Sequence, residues 1–75
     1  MPSYLNFVPA GFSASGKTKL WGVQSIGGAV LGTISWFAQW RKYTFEPQPG
    51  TVFDSVCLGE IANFIATETY RHKEK

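Results

Sequence analysis

Hydrophobic and polar positions alternate most regularly between Leu31 and Pro47, LGTISWFAQWRKYTFEP. The alternation puts Ile34 and Trp36 on one side of an extended arm and Thr33, Ser35 and Phe37 on the other. In a second arm Tyr43 and Phe45 stand against Lys42 and Thr44, so the segment predicts a β-hairpin with one core face and one half-polar face. The pattern breaks between Phe37 and Trp40, which places the turn at Ala38 and Gln39 and leaves Trp40, Arg41 and Lys42 just beyond it.

Upstream, Leu20, Gly22 and Gln24 alternate with Trp21, Val23 and Ser25, predicting a first strand over 18–26. Gly27 and Gly28 tolerate the positive φ of a tight primed turn and lead into a second strand over 29–37; a third covers 41–46. Pro47, Pro49 and Gly50 end it, because proline removes a ladder donor and glycine permits reversal. Thr51, Val52 and Phe53 then make a short edge strand or an apolar entry to a helix.

Asp54 or Ser55 is a good N-cap for a helix from about Val56 to Tyr70 or beyond. Leu58, Ile61 and Ile65 recur at helical spacing, flanked by Cys57, Ala62 and Phe64, while Glu60, Asn63, Thr67 and Glu68 point elsewhere. This stripe must bury against the sheet: each large apolar side chain contributes roughly 1.5–3 kcal/mol when fully covered. Cys57 reads as core packing, and Arg71, His72, Lys73 and Lys75 as cations that complement the negative helix end while fraying into solvent.

The fold class expected is therefore α+β: a three-stranded antiparallel β-meander packed against one C-terminal α-helix (βββα), occupying 18–75 as a single domain. Residues 1–17 form an extended N-terminal arm and a Gly/Ser-rich flexible connector. Tyr4, Leu5, Phe7 and Val8 make the arm too apolar to float free, and Pro2 and Pro9 interrupt it too often for a helix. It is expected to lie on the core or on a neighbouring subunit.

Composition narrows the function classes. Seventy-five residues with a single cysteine allow no internal disulfide, and the one histidine, His72, has no second His or Cys beyond Cys57 with which to close a zinc site. Neither a cofactor nor a metal is expected. No apolar run is long enough to span a membrane, and Asn6, Pro9 and Gly11 break up the start of the chain where a signal peptide would be continuous. The expected location is a reducing cytoplasm, with no membrane partner. The net charge is only +2, but Met1 to Phe45 holds four basic residues (Lys17, Lys19, Arg41, Lys42) and no acid, which suits an anionic partner.

Gly11 to Thr18, GFSASGKT, satisfies the phosphate-loop pattern GxxxxGK[ST]. A working phosphate loop needs a helix beginning at its lysine, whose N-terminus faces the anion. Here the residues that follow, KLWGVQSIGG, read as a strand, and the chain is too short for the several βα units of a nucleotide-hydrolysing core. The loop is therefore expected to be a connector. Catalysis is not expected either, since no acid, base or nucleophile pair has a spacing that brings it together.

The core LGTISWFAQWRKYTFEPQPGTVFDSVCLGEIANFI resembles a family of small uncharacterised proteins encoded in bacteriophage and prophage genomes, whose shared pattern is approximately LGxIxWYxxWRxYxFxPxxxTVFxxxCLxDIxxFI. Leu31, Gly32, Ile34, Trp36, Trp40, Arg41, Tyr43, Phe45, Pro47, Thr51, Val52, Phe53, Cys57, Leu58, Ile61, Phe64 and Ile65 match; Phe37 stands where Tyr is usual and Glu60 where Asp is usual. The resemblance covers about half the chain and implies a phage context and an intracellular stage of infection.

The sequence thus points to a small phage accessory protein that acts by binding. A basic aromatic sheet face, with Lys19, Trp40, Arg41, Lys42 and Thr44 as candidate contacts, fits nucleic acid. The alternative is a protein–protein module that modulates a host enzyme or defence, since Trp beside Arg is also a hot-spot composition. Twelve aromatic residues exceed what one helix on three strands covers, so exposed aromatic surface or self-association is expected.

Overall fold

The computed structural model describes residues 5–73. Pro2 and Tyr4 of the expected arm, and Lys75 of the expected basic tail, lie outside the described residues. Four strands, β1 (Leu5–Phe12), β2 (Lys19–Ser25), β3 (Val30–Phe37) and β4 (Lys42–Pro47), form one antiparallel sheet in the order β1-β2-β3-β4, followed by helix α1 (Ser55–Lys73). The α+β class, the antiparallel meander and the C-terminal helix are as expected from the sequence. The strand number is not: the sheet has four strands, because the apolar part of the N-terminal arm is an edge strand paired along β2. Pro9 excludes a helix there but not an edge strand, since at an edge its missing N–H removes no bond on the outer side. The pairing also slips between Pro9 and Phe12, which takes up the irregularity.

The alternation read from the sequence sorts the two faces correctly. Trp21 and Val23 on β2, Ile34 on β3 and Tyr43 on β4 are buried beneath α1 with Leu5 and Ile61. The registers Trp21↔Ile34, Ile34↔Phe45 and Trp36↔Tyr43 stack these positions across the sheet. Gly32 sits opposite Pro47 in this layer, and a methyl group there would run into the Glu46 carbonyl and the Phe45 ring. Among the described residues no helix or strand packs on the other face.

The β2–β3 connection is longer than a two-residue Gly-Gly turn. The Gly28 N–H donates to the Ser25 carbonyl (2.9 Å), so the reversal is centred on Ile26 and Gly27, and Gly28 follows at φ 94°. Only glycine takes that conformation without strain, so Gly28 is the residue the turn requires, and the turn is centred one place earlier than the expected Gly27–Gly28.

Asp54 is the N-cap: its Oδ1 accepts the Cys57 N–H at 2.9 Å. Phe64 stacks on Phe7 of β1, with centroids 4.2 Å apart, and meets Trp21 edge-on, so α1 ties the edge strand to the meander. At the opposite edge the Tyr43 N–H donates to Thr69 Oγ1 at 3.0 Å. Two expectations about the helix need correction. Leu58 is half exposed, because the covered stripe runs through Cys57, Ile61, Phe64, Ile65 and His72 and leaves Leu58 to one side. His72 is not frayed into solvent: the helix continues through it, and its ring lies 4.5 Å from the Trp36 ring. Packing on tryptophan extends the last turn beyond what terminal charges alone would hold.

Candidate functional site

Antiparallel connectivity sends alternate connections to opposite ends of the molecule. The β1–β2 connector, the β3–β4 turn and the C-terminus of α1 therefore meet at one end, and the β2–β3 turn and the start of α1 at the other. Lys17, Lys19, Arg41, Lys42 and Arg71 all fall at the first end. Glu46, Asp54 and Glu60 fall in the other half. Among the described carboxylates only Glu68 reaches the basic end, where it pairs with Arg71 at 3.2 Å.

The connector that carries the phosphate-loop pattern is a tied loop and not a flexible one. The Thr18 hydroxyl donates to Ser13 Oγ (2.9 Å), the Ser13 N–H to the Thr18 carbonyl (2.8 Å), and the Gly16 N–H to the Ser13 carbonyl (2.9 Å). Thr18 is buried and its hydroxyl is committed, so it is not offered to a magnesium ion. The loop leads into β2 and faces the C-terminus of α1, the negative end of a helix, which is the opposite of a phosphate loop.

The five residues singled out from the sequence share an end of the molecule but not a face. Lys42 and Thr44 lie on the uncovered face, where Phe37↔Lys42 and Ser35↔Thr44 are cross-strand pairs and Thr44 Oγ1 donates to the Ser35 carbonyl at 3.3 Å. That face is nearly neutral, since Lys42 and Glu46 are its only charged residues among the described strand positions. Trp40 and Arg41 are within the turn, which occupies 38–41 and is thus longer than Ala38 and Gln39. The exposed Trp40 ring meets Phe37 edge-on at 4.8 Å. Arg41 has φ 55° and its side chain lines an open groove of about 650 Å³ with Trp36, Ala38 and His72. Lys19 lies on the helix-covered side, its N–H donating to Tyr43 Oη at 3.2 Å. There it lines a cleft of about 240 Å³ together with Phe12, Lys17, Tyr43, Arg71 and His72, with Glu68 at the same wall.

Sequence reasoning missed Phe12, Arg71 and His72 as members of this region. Phe12 reads in the sequence as part of the Gly/Ser-rich connector, and Arg71 and His72 as a solvated tail; the antiparallel connectivity brings all three to the basic end.

At the opposite end Ser25, Ile26, Gly27, Asp54, Val56 and Cys57 line an open hollow of about 510 Å³. Burial pushes the Cys57 thiol upward, and the Asp54 carboxylate beside it acts in the same direction, so the group is kept protonated and is a poor nucleophile. Among the described residues no group of three His, Cys, Asp or Glu side chains converges for a metal, and no helix is long and apolar enough to cross a membrane. No protein-family profile, no curated protein and no solved structure matches the chain.

Proposed function

We propose that the protein is a small non-enzymatic phage accessory protein that binds nucleic acid in the host cytoplasm, through its basic end and not through its sheet face. The observation that carries this reading is the convergence of Lys17, Lys19, Arg41, Lys42 and Arg71 from three separate segments. Clustered cations of this kind raise the local potential and track a phosphate backbone. The phage setting rests on the LGxIxW, WRxYxF and TVF elements of the core.

Heteronuclear NMR titration with a DNA duplex and an RNA hairpin, at low and at moderate salt, tests the reading. Shifts confined to 12–19, 37–42 and 68–72 that weaken with salt and with Lys42→Glu are expected. An unchanged spectrum at low salt would refute nucleic-acid binding.

A host protein is the second reading, supported by a different surface. Ile26, Val30 and Val56 are about half exposed or more at the hollow end, and Val52 is 91% exposed. Binding there would depend on aliphatic truncation and little on salt.

A further inference from the structure

Apart from Val8, which is 40% exposed in the middle of β1, the large exposed hydrophobic side chains are not scattered. Phe12 (64% exposed), Phe37 (37%), Trp40 (63%) and Tyr70 (65%) are all aromatic and all lie toward the basic end. The exposed aliphatic side chains Ile26, Val30, Val52, Val56 and Leu58 lie toward the other. The core does not need the four rings, and leaving them in water forgoes the stabilisation their burial would bring. Aromatic rings interleaved with cations are instead what a chain of unstacked bases requires: phosphates meet the cations, and each base finds a ring on which to stack.

We infer that the basic end is a binding site for single-stranded nucleic acid, held by stacking on Trp40 and Phe12 and by phosphate contacts to Lys17, Lys19, Arg41 and Lys42. This deepens the nucleic-acid reading and rests on it. His72 belongs both to the cleft that holds Phe12, Lys17 and Lys19 and to the groove that holds Arg41. Arg41 stands in the chain between Trp40, whose ring meets Phe37, and Lys42. A duplex fits this surface less well, because its bases already stack on one another and offer the rings no free face. Of the side chains at the tip of the β3–β4 turn, only Gln39 and Arg41 could read base edges. The helix presents its negative end here, which opposes any anion, and Glu68 occupies Arg71. The remaining cations outweigh both, and freeing Arg71 adds one more.

Fluorescence anisotropy with a labelled 12-mer of oligodeoxythymidine, a 12-mer of oligouridine and a 12-bp duplex, at one low salt concentration, decides the matter. Both single strands are expected to bind at least about tenfold more tightly than the duplex and to quench tryptophan fluorescence. Trp40→Ala should weaken single-strand binding about 5- to 100-fold and Phe12→Ala in the same sense, with circular dichroism confirming that each variant folds. Glu68→Gln should tighten binding, and Val52→Ser, at the far end, should leave it unchanged. Duplex binding equal to or tighter than single-strand binding would overturn the single-strand assignment while nucleic-acid binding itself stood. Single-strand preference in folded Trp40→Ala and Phe12→Ala proteins with undiminished affinity would overturn the stacking role. Binding of one sugar type alone would remove the shared-chemistry claim, and binding of neither strand nor duplex would refute both readings.

Discussion

Arg41 occupies the left-handed backbone region, at φ 55°, where a residue with a Cβ is strained by about 1–2 kcal/mol and glycine is not. Its N–H closes the turn onto the Phe37 carbonyl at 2.9 Å, a role any residue could fill. A strained arginine at a site glycine would suit suggests a use for the side chain beyond the turn. Arg41→Gly is therefore expected to keep stability within about 1 kcal/mol of the parent, since relief of strain and the added freedom of the unfolded chain offset one another. The same variant should bind nucleic acid several-fold more weakly. A thermal melt paired with the oligonucleotide titration checks both, and a collapsed melt would mark Arg41 as structural. At the other end, Asp54 accepts the Cys57 N–H, which holds its carboxyl below the ordinary value of 3.8. A carboxylate with a lowered folded pKa contributes stability that is present above the unfolded value and is lost as pH falls through the folded one. Denaturant melts at pH 7 and pH 2.5 should therefore show a loss that shrinks in Asp54→Asn, which keeps a capping oxygen but does not titrate.

At the scale of elements, β2 and β3 are the central strands of the sheet, and α1 covers their buried face. Ile34 and Val23 are fully buried, and Ile61 sits over them from the helix. Ile61→Asp places a carboxylate in that layer with no cation to meet it and is expected to unfold the domain. Gly32→Ala is the milder probe: the added methyl meets the Glu46 carbonyl and the Phe45 ring, so the β3–β4 pair must part locally, with a cost of about 1–3 kcal/mol in a denaturant titration. The alternation made β2, β3 and β4 legible to within a residue, because a half-buried strand must alternate whatever it packs on. It left β1 illegible, because an edge strand carrying Pro9 and a bulge satisfies no period for long. The helix was legible in extent and cap but not in azimuth. Cys57, Leu58, Ile61 and Ile65 all fit an apolar stripe, and only contact with Trp21, Phe7 and Trp36 decides that Leu58 is left out and His72 brought in.

On the scale of the whole molecule, the governing feature is polarity of charge along the strand direction. With Lys17, Lys19, Arg41 and Lys42 each neutralising a phosphate, the salt slope for a single strand would approach about −0.7 per contact, or roughly −2.8 in all. A sheet-face site using Lys42 alone would give a slope near one such contact. The salt dependence therefore reports which surface is used as well as whether binding occurs. The candidate residues Trp40, Arg41 and Lys42 share one end of the molecule because they are adjacent in the chain. The place of Phe12, Arg71 and His72 was hidden because they reach that end only through folding. Alternation, turn residues and caps act over a few neighbours, so the sequence by itself determined β2, β3, β4 and α1, the buried faces of those three strands and the α+β class. Which loops meet, which helix face is covered and where the cations gather depend on pairs such as Lys19 with Tyr43 and Trp36 with His72, far apart along the chain. Only the tertiary structure decided those, because contacts between residues so distant in the chain form only when the strands and the helix pack together.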